Sequence, residues 1–362
     1  MAQSCIQAPS RTEHGNGFAH MKTSDFDFDL PPERIAQQPA EPRDAARLMV
    51  LARAGVGVAH HRFFELPAVL TAGDLLVVND TKVMAARLFG SRPDSGGRVE
   101  ALLLHPMPSA PGNAWEVLMY PFRQAVPGRM LSFDTAEGPL EAVVVSRAAE
   151  TAVLEFAREF DPATVGTLPL PPYIKGYTGD PGRYQTVYAD EPRSAAAPTA
   201  GLHFTPELFA TLAQAGIERT SITLEVGIGT FKPVKADDPR EHTLHEERVI
   251  IPHSAADAIN RAKSEGRRVI AVGTTVIRTI EHVARQSGGI QPYEGHTGLR
   301  ILPGDPFLAV DGIITNFHLP RSTLLMLICA FAGTERVLAA YREAVANEYN
   351  FYSFGDAMLI LP

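Results

Sequence analysis

Cysteine is scarce in this chain of 362 residues: there are two, Cys5 and Cys329. Cys5 lies in a polar N-terminal tail and Cys329 in an apolar helical pattern. A stapling disulfide is therefore not expected, and the sequence reads as cytosolic. Long apolar runs are also missing. The longest, Ser322–Gly333 (STLLMLICAFAG), is too short for the roughly 20 residues of a bilayer-spanning helix. Residues 1–20 contain no apolar h-region and so no secretory signal. They read as a disordered extension, with Met21 opening the compact part. A surplus of positive charge is absent too: the formal net charge is -8, whereas a free-standing nucleic-acid binder is usually strongly basic. A local basic face stays open, because binding depends on where the charge lies. There is no P-loop, no G-x-S-x-G elbow and no cysteine nucleophile context, so ordinary hydrolase and kinase chemistry has no support.

What is present is ordinary globular material, with 45% hydrophobic and 20% charged residues, enough for one large domain or two. After a loop-rich start, Gly73–Asp80 (GDLLVVND) places four large apolar residues between turn formers, as in a strand buried on both faces. From Gly90 to Pro162 helical periods are missing. Short runs (RVEALLL, WEVLMY, RMLSF, LEAVVV, TAVLEF) separated by Gly, Pro and Asp predict a small all-β sandwich or barrel. From Leu168 onward strands and helices alternate. Thr205 caps the helix of TPELFATLAQAG, with Pro206 at its first position and Gly216 past its end. Ser254 is read as the start of SAADAINRAKSEG. RRVIAVG and GIITN are strands, TTVIRTIEHVARQSGG is an amphipathic helix, Ser322 leads into a buried helix, TERVLAAYREAVANEY is a surface helix, and AMLIL closes as a strand. The expected fold is α/β: residues 21–89 and 163–362 form a layered α/β domain with a mixed or parallel sheet, and residues 90–162 form an inserted β-barrel.

Polar and small residues gather where strands end. Ala196–Thr205 (AAPTAGLHFT) sets His203 just before a helix. Val272–Glu281 (VGTTVIRTIE) brings Thr274 and Thr275 to a helix start that suits a carboxylate or phosphate, with Arg278 one turn in. Ile314–Thr323 (ITNFHLPRST) places Asn316, His318 and Arg321 between a strand and a helix. His318 there is either a satisfied structural histidine or a ligand-facing one. Asn79, Asp80, Thr81, Lys82 and Arg87 repeat the theme. Ile222–Phe231 (ITLEVGIGTF) resembles a methyltransferase nucleotide loop, but Phe231 replaces the third glycine and Pro233 breaks the following helix. A tight turn and a different ligand-binding turn are the other readings. Glu241–Arg248 (EHTLHEER) reads as a solvated or substrate-facing loop, because His242, His245 and Glu246 find no third metal ligand cluster. Several such strand ends in one α/β domain imply a shared cleft.

Taken in order, FDLPPERIAQQPAEPRDAARLMVL, GDLLVVNDTKVMAARLFG, LPLPPYIKGY, RYQTVYA, AAPTAGLHFT, GTFKPV, RVIAVGTTVIRTIE, ITNFHLPRSTLLMLICAFAG and FYSFGDAMLI resemble the S-adenosylmethionine:tRNA ribosyltransferase-isomerase family of queuosine biosynthesis. Asp80, Arg98 and Glu225 depart from the usual Asn, Lys and His. The resemblance implies an α/β domain with a small β-barrel. It implies transfer and isomerisation of the ribosyl moiety of S-adenosylmethionine, a co-substrate, onto 7-aminomethyl-7-deazaguanine at the tRNA wobble position. Adenine and methionine are released, and the product is epoxyqueuosine-tRNA. The partner is a tRNA with an Asp, Asn, His or Tyr type anticodon. A cytoplasmic monomer is expected, with no metal and no membrane partner.

The sulfonium acidifies the C5′ protons, adenine must leave with a proton or hydrogen bond, and the attacking amine must be neutral. Histidines serve such chemistry near pH 7. His203 and His318 are therefore the expected acid–base pair, with His245 in reserve. The helix start beside His203 is expected to favour its neutral form. Thr199, Gly201, Gly229, Thr230, Thr274, Thr275 and Asn316 are expected to hold the donor. Lys82, Arg87, Lys175, Arg278 and Arg321 are expected to meet tRNA phosphates. An RNA methyltransferase is the alternative enzyme, and a non-catalytic tRNA-binding protein with a relict site the other class.

Overall fold

Apolar β-branched and leucine runs build one mixed sheet of nine strands, and a separate run of short alternating strands closes into a barrel. The computed structural model describes residues 21–362, apart from residue 56 and residues 108–112, 172, 176, 228–233 and 235. In chain order the strands are β1 (Arg47–Ala52), β2 (Val58–Arg62), β3 (Leu75–Asn79), β4 (Lys82–Val83), β5 (Arg87–Ser91), β6 (Arg98–Pro106), β7 (Asn113–Tyr120), β8 (Met130–Phe133) and β9 (Leu140–Arg147). They continue with β10 (Ala152–Phe156), β11 (Pro192–Ser194), β12 (Glu218–Leu224), β13 (Glu247–Ile251), β14 (Val269–Val272), β15 (Tyr293–Thr297), β16 (Gly312–Asn316) and β17 (Ala357–Leu361). The helices are α1 (Leu66–Val69), α2 (Pro162–Val165), α3 (Pro206–Gln214), α4 (His253–Ser264), α5 (Thr274–Ser287), α6 (Thr323–Ala332) and α7 (Thr334–Ala346).

The large sheet runs β15-β13-β12-β3-β14-β16-β17-β1-β2. Its centre is parallel: β12, β3, β14 and β16 point the same way. Every residue of β3, β14 and β16 is buried. Such strands must be apolar on both faces, which is why Leu75–Val78 carries no alternation. Each buried Leu or Val there contributes about 1.5–3 kcal/mol relative to exposure. α4, α5 and α6 cover one face through Ile259, Ile277, Ile280 and Met326. α3 and the Phe63–Leu66 turn cover the other through Leu208, Leu212 and Phe204. The start of α6 is fixed by Ser322, whose hydroxyl accepts the Leu325 N–H at 3.2 Å.

The barrel closes in the order β10-β7-β6-β5-β8-β9. Its strands do alternate. Val99, Ala101 and Leu103 of β6 point inward and are buried, while Arg98, Glu100 and Leu102 face out. Val117, Leu131, Phe133, Leu154 and Phe156 complete an apolar interior.

Three expectations are corrected here. β1 and β2 stand in the stretch read as loop, and β2 is an edge strand. α4 starts at His253 after Pro252 and has no side-chain cap, so Ser254 is not its cap. Glu247 and Arg248, read as part of a loop, open β13. Residues 1–20, Cys5 among them, lie outside the described residues. Cys329 is a buried free thiol.

Candidate active site

Four strand ends meet at the carboxyl edge of the parallel centre. They are Asn79 after β3, Glu225 after β12, Gly273 after β14 and Asn316 at the end of β16. Ligands of open α/β sheets bind at this edge. A cleft lies there, bordered by Thr199, Thr274, Thr275, Asn316, His318 and Tyr352. A second cavity shares Thr274 and Thr275 with it and is bordered by His245, Glu247, Arg278 and Arg300.

The turn Thr199–His203 forms the floor. Segment 182–202 is pinned by Arg43, whose guanidinium donates to the carbonyls of Gly182 at 3.1 Å, Gln185 at 2.8 Å and Leu202 at 3.3 Å. Gly201 is required by packing: a Cβ there would stand 2.0 Å from the Tyr188 hydroxyl. Thr205 does cap α3, accepting the Leu208 N–H at 3.0 Å, and donates to Asp44 at 3.2 Å.

A chain of hydrogen bonds then runs through the site. The Thr199 hydroxyl donates to Asn316 Oδ1 at 2.9 Å, and the Asn316 amide donates to His203 Nε2 at 3.1 Å. His203 also bonds the Arg43 backbone and lies 5.0 Å, centroid to centroid, from the Phe63 ring. Asn316 therefore stands between His203 and the cleft, and His203 is not among the residues that border it. Burial pushes its imidazole down to about 4, with nearby Arg183 and Arg43 adding to the effect. The ring is neutral as expected, but burial is the main cause rather than the start of α3.

His318 does border the cleft. Its Nε2 pairs with the Thr315 hydroxyl at 2.9 Å, and its backbone N–H donates to the Tyr341 hydroxyl at 3.2 Å. Burial lowers its imidazole to about 3, so it too is neutral near pH 7.

α5 opens at the cleft without a side-chain cap, because its N-cap is Gly273 at φ 92°, a conformation that favours glycine. The first-turn amides and the buried, unpartnered Thr275 hydroxyl thus face the shared wall of the two cavities. Arg278, one turn on, is buried and borders the second cavity. It forms an ion pair with Glu247 and donates to the Leu299 carbonyl at 2.9 Å. Glu247 also accepts the Gly227 N–H at 2.9 Å, tying the end of β12 to α5. The sequence reading missed Glu247 as a site residue, although it sits in the histidine–carboxylate run. His245 lies on the second cavity, away from His318.

The remaining candidates scatter. Asn79 is a structural tie, holding Leu224 by paired bonds of 3.0 Å. Lys82 and Lys175 are exposed. Arg87 pairs with Glu100 at 2.9 Å, and Arg321 pairs with Asp27. Glu225 accepts from Arg248 at 2.7 Å and faces Arg193 at 3.6 Å, so it is bound up in ion pairs at the barrel side of the site. Gly229 and Thr230 lie outside the described residues. Among the described residues no group of three or more His, Cys, Asp or Glu gathers to hold a metal ion. No single described helix is long and apolar enough to cross a membrane.

Comparison with known proteins agrees with this architecture. The model of the family described as queuosine biosynthesis protein matches residues 23–360. The S-adenosylmethionine:tRNA ribosyltransferase-isomerase of Moorella thermoacetica is 52% identical over 346 residues, covering 94% of this chain and 100% of the relative. The protein of the same name from Symbiobacterium thermophilum is 51% identical, with the same coverage. A crystal structure of S-adenosylmethionine tRNA ribosyltransferase from Thermotoga maritima is 39% identical, covers 93% of this chain and 100% of that one, and superposes with a TM-score of 0.55. With its match over almost the whole compact chain, this protein belongs to the queuosine biosynthesis protein family.

Proposed function

We propose that this chain is an S-adenosylmethionine:tRNA ribosyltransferase-isomerase that works in the cleft at the carboxyl edge of its large sheet. The activity is the one its close relatives are named for. One observation supports this cleft as its seat: the buried neutral His318, the fixed amide of Asn316 and the uncapped start of α5 all border it.

S-adenosylmethionine is the ribosyl donor. Its sulfonium acidifies the C5′ protons, and a base removes one to leave an ylide-like carbon; His318, which borders the cleft, is assigned that place, although burial weakens it as a base. Adenine departs as its ring nitrogen gains a proton or hydrogen bond. The neutral aminomethyl nitrogen of 7-aminomethyl-7-deazaguanine in the tRNA then bonds to the ribosyl carbon skeleton and gives up a proton, and the C5′–S bond breaks to release methionine as the epoxide closes. His203, behind Asn316, keeps that amide and Thr199 in place and so acts as a positioning residue. Thr274 and Thr275 receive the methionyl carboxylate on the first-turn amides of α5. His245 stays in reserve on the adjoining cavity, and Gly229 and Thr230 complete the donor site from the neighbouring loop.

The tRNA carries an Asp, Asn, His or Tyr type anticodon. Lys82 and Lys175 meet its phosphates, joined by Arg87 and Arg321 if they exchange their carboxylate partners. The enzyme works as a cytoplasmic monomer with no metal, and its inserted barrel domain opens with β5 at Arg87, three residues before the expected boundary. Product analysis tests the reading. Free adenine and methionine, formed in step with tRNA modification, are expected. S-adenosylhomocysteine in their place would establish methyl transfer instead.

A further inference from the structure

The cleft is lined by two unlike groups of residues. One is the first turn of α5, with Thr274 and Thr275, whose uncapped amides suit an anion. The other is Tyr352 and Ser353. Tyr352 holds its backbone at φ 77°, in the left-handed region. Among the described residues it shares a positive φ with two other non-glycine residues, Arg321 and Glu348, and neither of those borders the cleft. A bulky residue stays in that region only where its surroundings over-determine it, and such positions concentrate at ligand sites.

The surroundings here are specific. The Tyr352 N–H donates to the Phe317 carbonyl at 3.0 Å, and its own carbonyl accepts the Gly355 N–H at 3.0 Å. Its ring lies 4.0 Å from that of Tyr173, centroid to centroid, tilted by 58°. The Tyr173 hydroxyl is hydrogen-bonded to Ser353. Burial pushes the Tyr352 hydroxyl up to about 12, so it stays protonated and uncharged. A neutral aromatic residue and a polar helix start thus line one cleft.

We infer that Tyr352, backed by Tyr173, is the surface against which the purine of the donor rests. S-adenosylmethionine then lies with adenine toward Tyr352 and its carboxylate toward the start of α5. The inference rests on the proposed activity and adds the direction in which the donor lies. It follows from matching polarity: the donor has an aromatic end and an anionic end, and the cleft lining holds an aromatic residue and an anion-suited helix start. Purine–aromatic contact is sequence-tolerant and strong enough that losing the ring costs about tenfold to a hundredfold in affinity.

The test compares Tyr352→Phe with Tyr352→Asn. Asparagine tolerates left-handed backbone, so the second variant removes the ring without straining the turn. Thermal melts of both verify folding. Calorimetry measures S-adenosylmethionine, adenosine and methionine separately, and steady-state kinetics with tRNA gives KM and kcat. The inference expects Tyr352→Asn to weaken S-adenosylmethionine and adenosine by about tenfold or more, to leave methionine unchanged, and to raise KM more than it lowers kcat. It expects Tyr352→Phe to bind as the wild type does. Wild-type adenosine affinity in a folded Tyr352→Asn protein would overturn it, as would equal loss of methionine and adenosine. Failure of the wild-type enzyme to release adenine would instead sink the activity reading, a separate outcome.

Discussion

Inside the barrel, Val99, Leu103, Leu131, Phe133 and Leu154 close on one another, with their polar neighbours turned outward. At the carboxyl edge of the large sheet, His203, Asn316, His318 and Thr274 are buried too, yet their polar atoms meet one another or a cleft. The two regions are buried for opposite ends. The barrel interior is filled by dispersion and hydrophobic contacts, which are non-directional and tolerate volume-conserving exchange. The sheet edge depends on directed partners, and one missing partner leaves another group buried and unsatisfied. Chemistry is therefore expected to fail first at the edge, and stability alone to fail in the barrel.

The largest effect that would sharpen this contrast is on turnover. His318→Ala is expected to slow adenine release by roughly 10²–10⁴-fold, the usual worth of a general acid–base group. His203→Ala is expected to cost less, since it acts through Asn316. Single-turnover measurement of adenine checks both, and a larger loss at His203 would reverse their roles. Next comes Glu247→Ala, which leaves Arg278 buried without its counter-charge. A loss of about 3–5 kcal/mol by urea unfolding is expected. In the barrel, Leu131→Ala is expected to cost about 2–5 kcal/mol by the same measurement, with kcat/KM per folded molecule kept near wild type. Equal damage to catalysis there would break the contrast.

A smaller effect concerns pH. His318 and His203 are held near 3 and 4 when folded, below the ordinary 6.5. Between those values the unfolded chain binds more protons than the native one, so stability rises with pH. It is fully present above about 6.5 and is lost as pH falls toward 3–4. The unfolding midpoint of His318→Gln should vary less with pH across that window. The smallest expected effect is at Lys82, exposed on the surface: Lys82→Ala should leave stability within about 0.5 kcal/mol and flatten the salt dependence of tRNA binding by about one counterion. An unchanged slope would remove Lys82 from the tRNA surface.

The parts of the fold visible in the sequence are those where local pattern and burial coincide. Leu75–Val78 has no alternation because β3 has neighbours on both sides and layers on both faces. β2 and β15 gave no such signal. As outer strands they carry His, Glu and Gly at exposed positions, so neither period marks them. The turns at Thr199, Thr274 and Asn316 were legible as small or polar residues at strand ends. Their wiring was not. Asn316 finds His203 across 113 residues, and Arg278 finds Glu247 across 31. Nothing in the local spacing says which of two neighbouring polar groups faces inward. That is why Glu247 was overlooked. The backbone of Tyr352 was hidden for a related reason: its φ is imposed by Phe317 and Gly355, not by the tyrosine itself.

One pairing also governs when the molecule becomes whole. β1 lies parallel to β17, and the Arg47 amide bonds the Asp356 carboxylate 309 residues later. On the ribosome, β1 meets β2 at once but has nothing along its other side until β17 emerges. The six strands of the barrel follow one another between Arg87 and Phe156, with Val165 and Thr167 close behind to complete it. Synthesis thus delivers the barrel's strands together and leaves the large sheet open beside β1 until β17 is made.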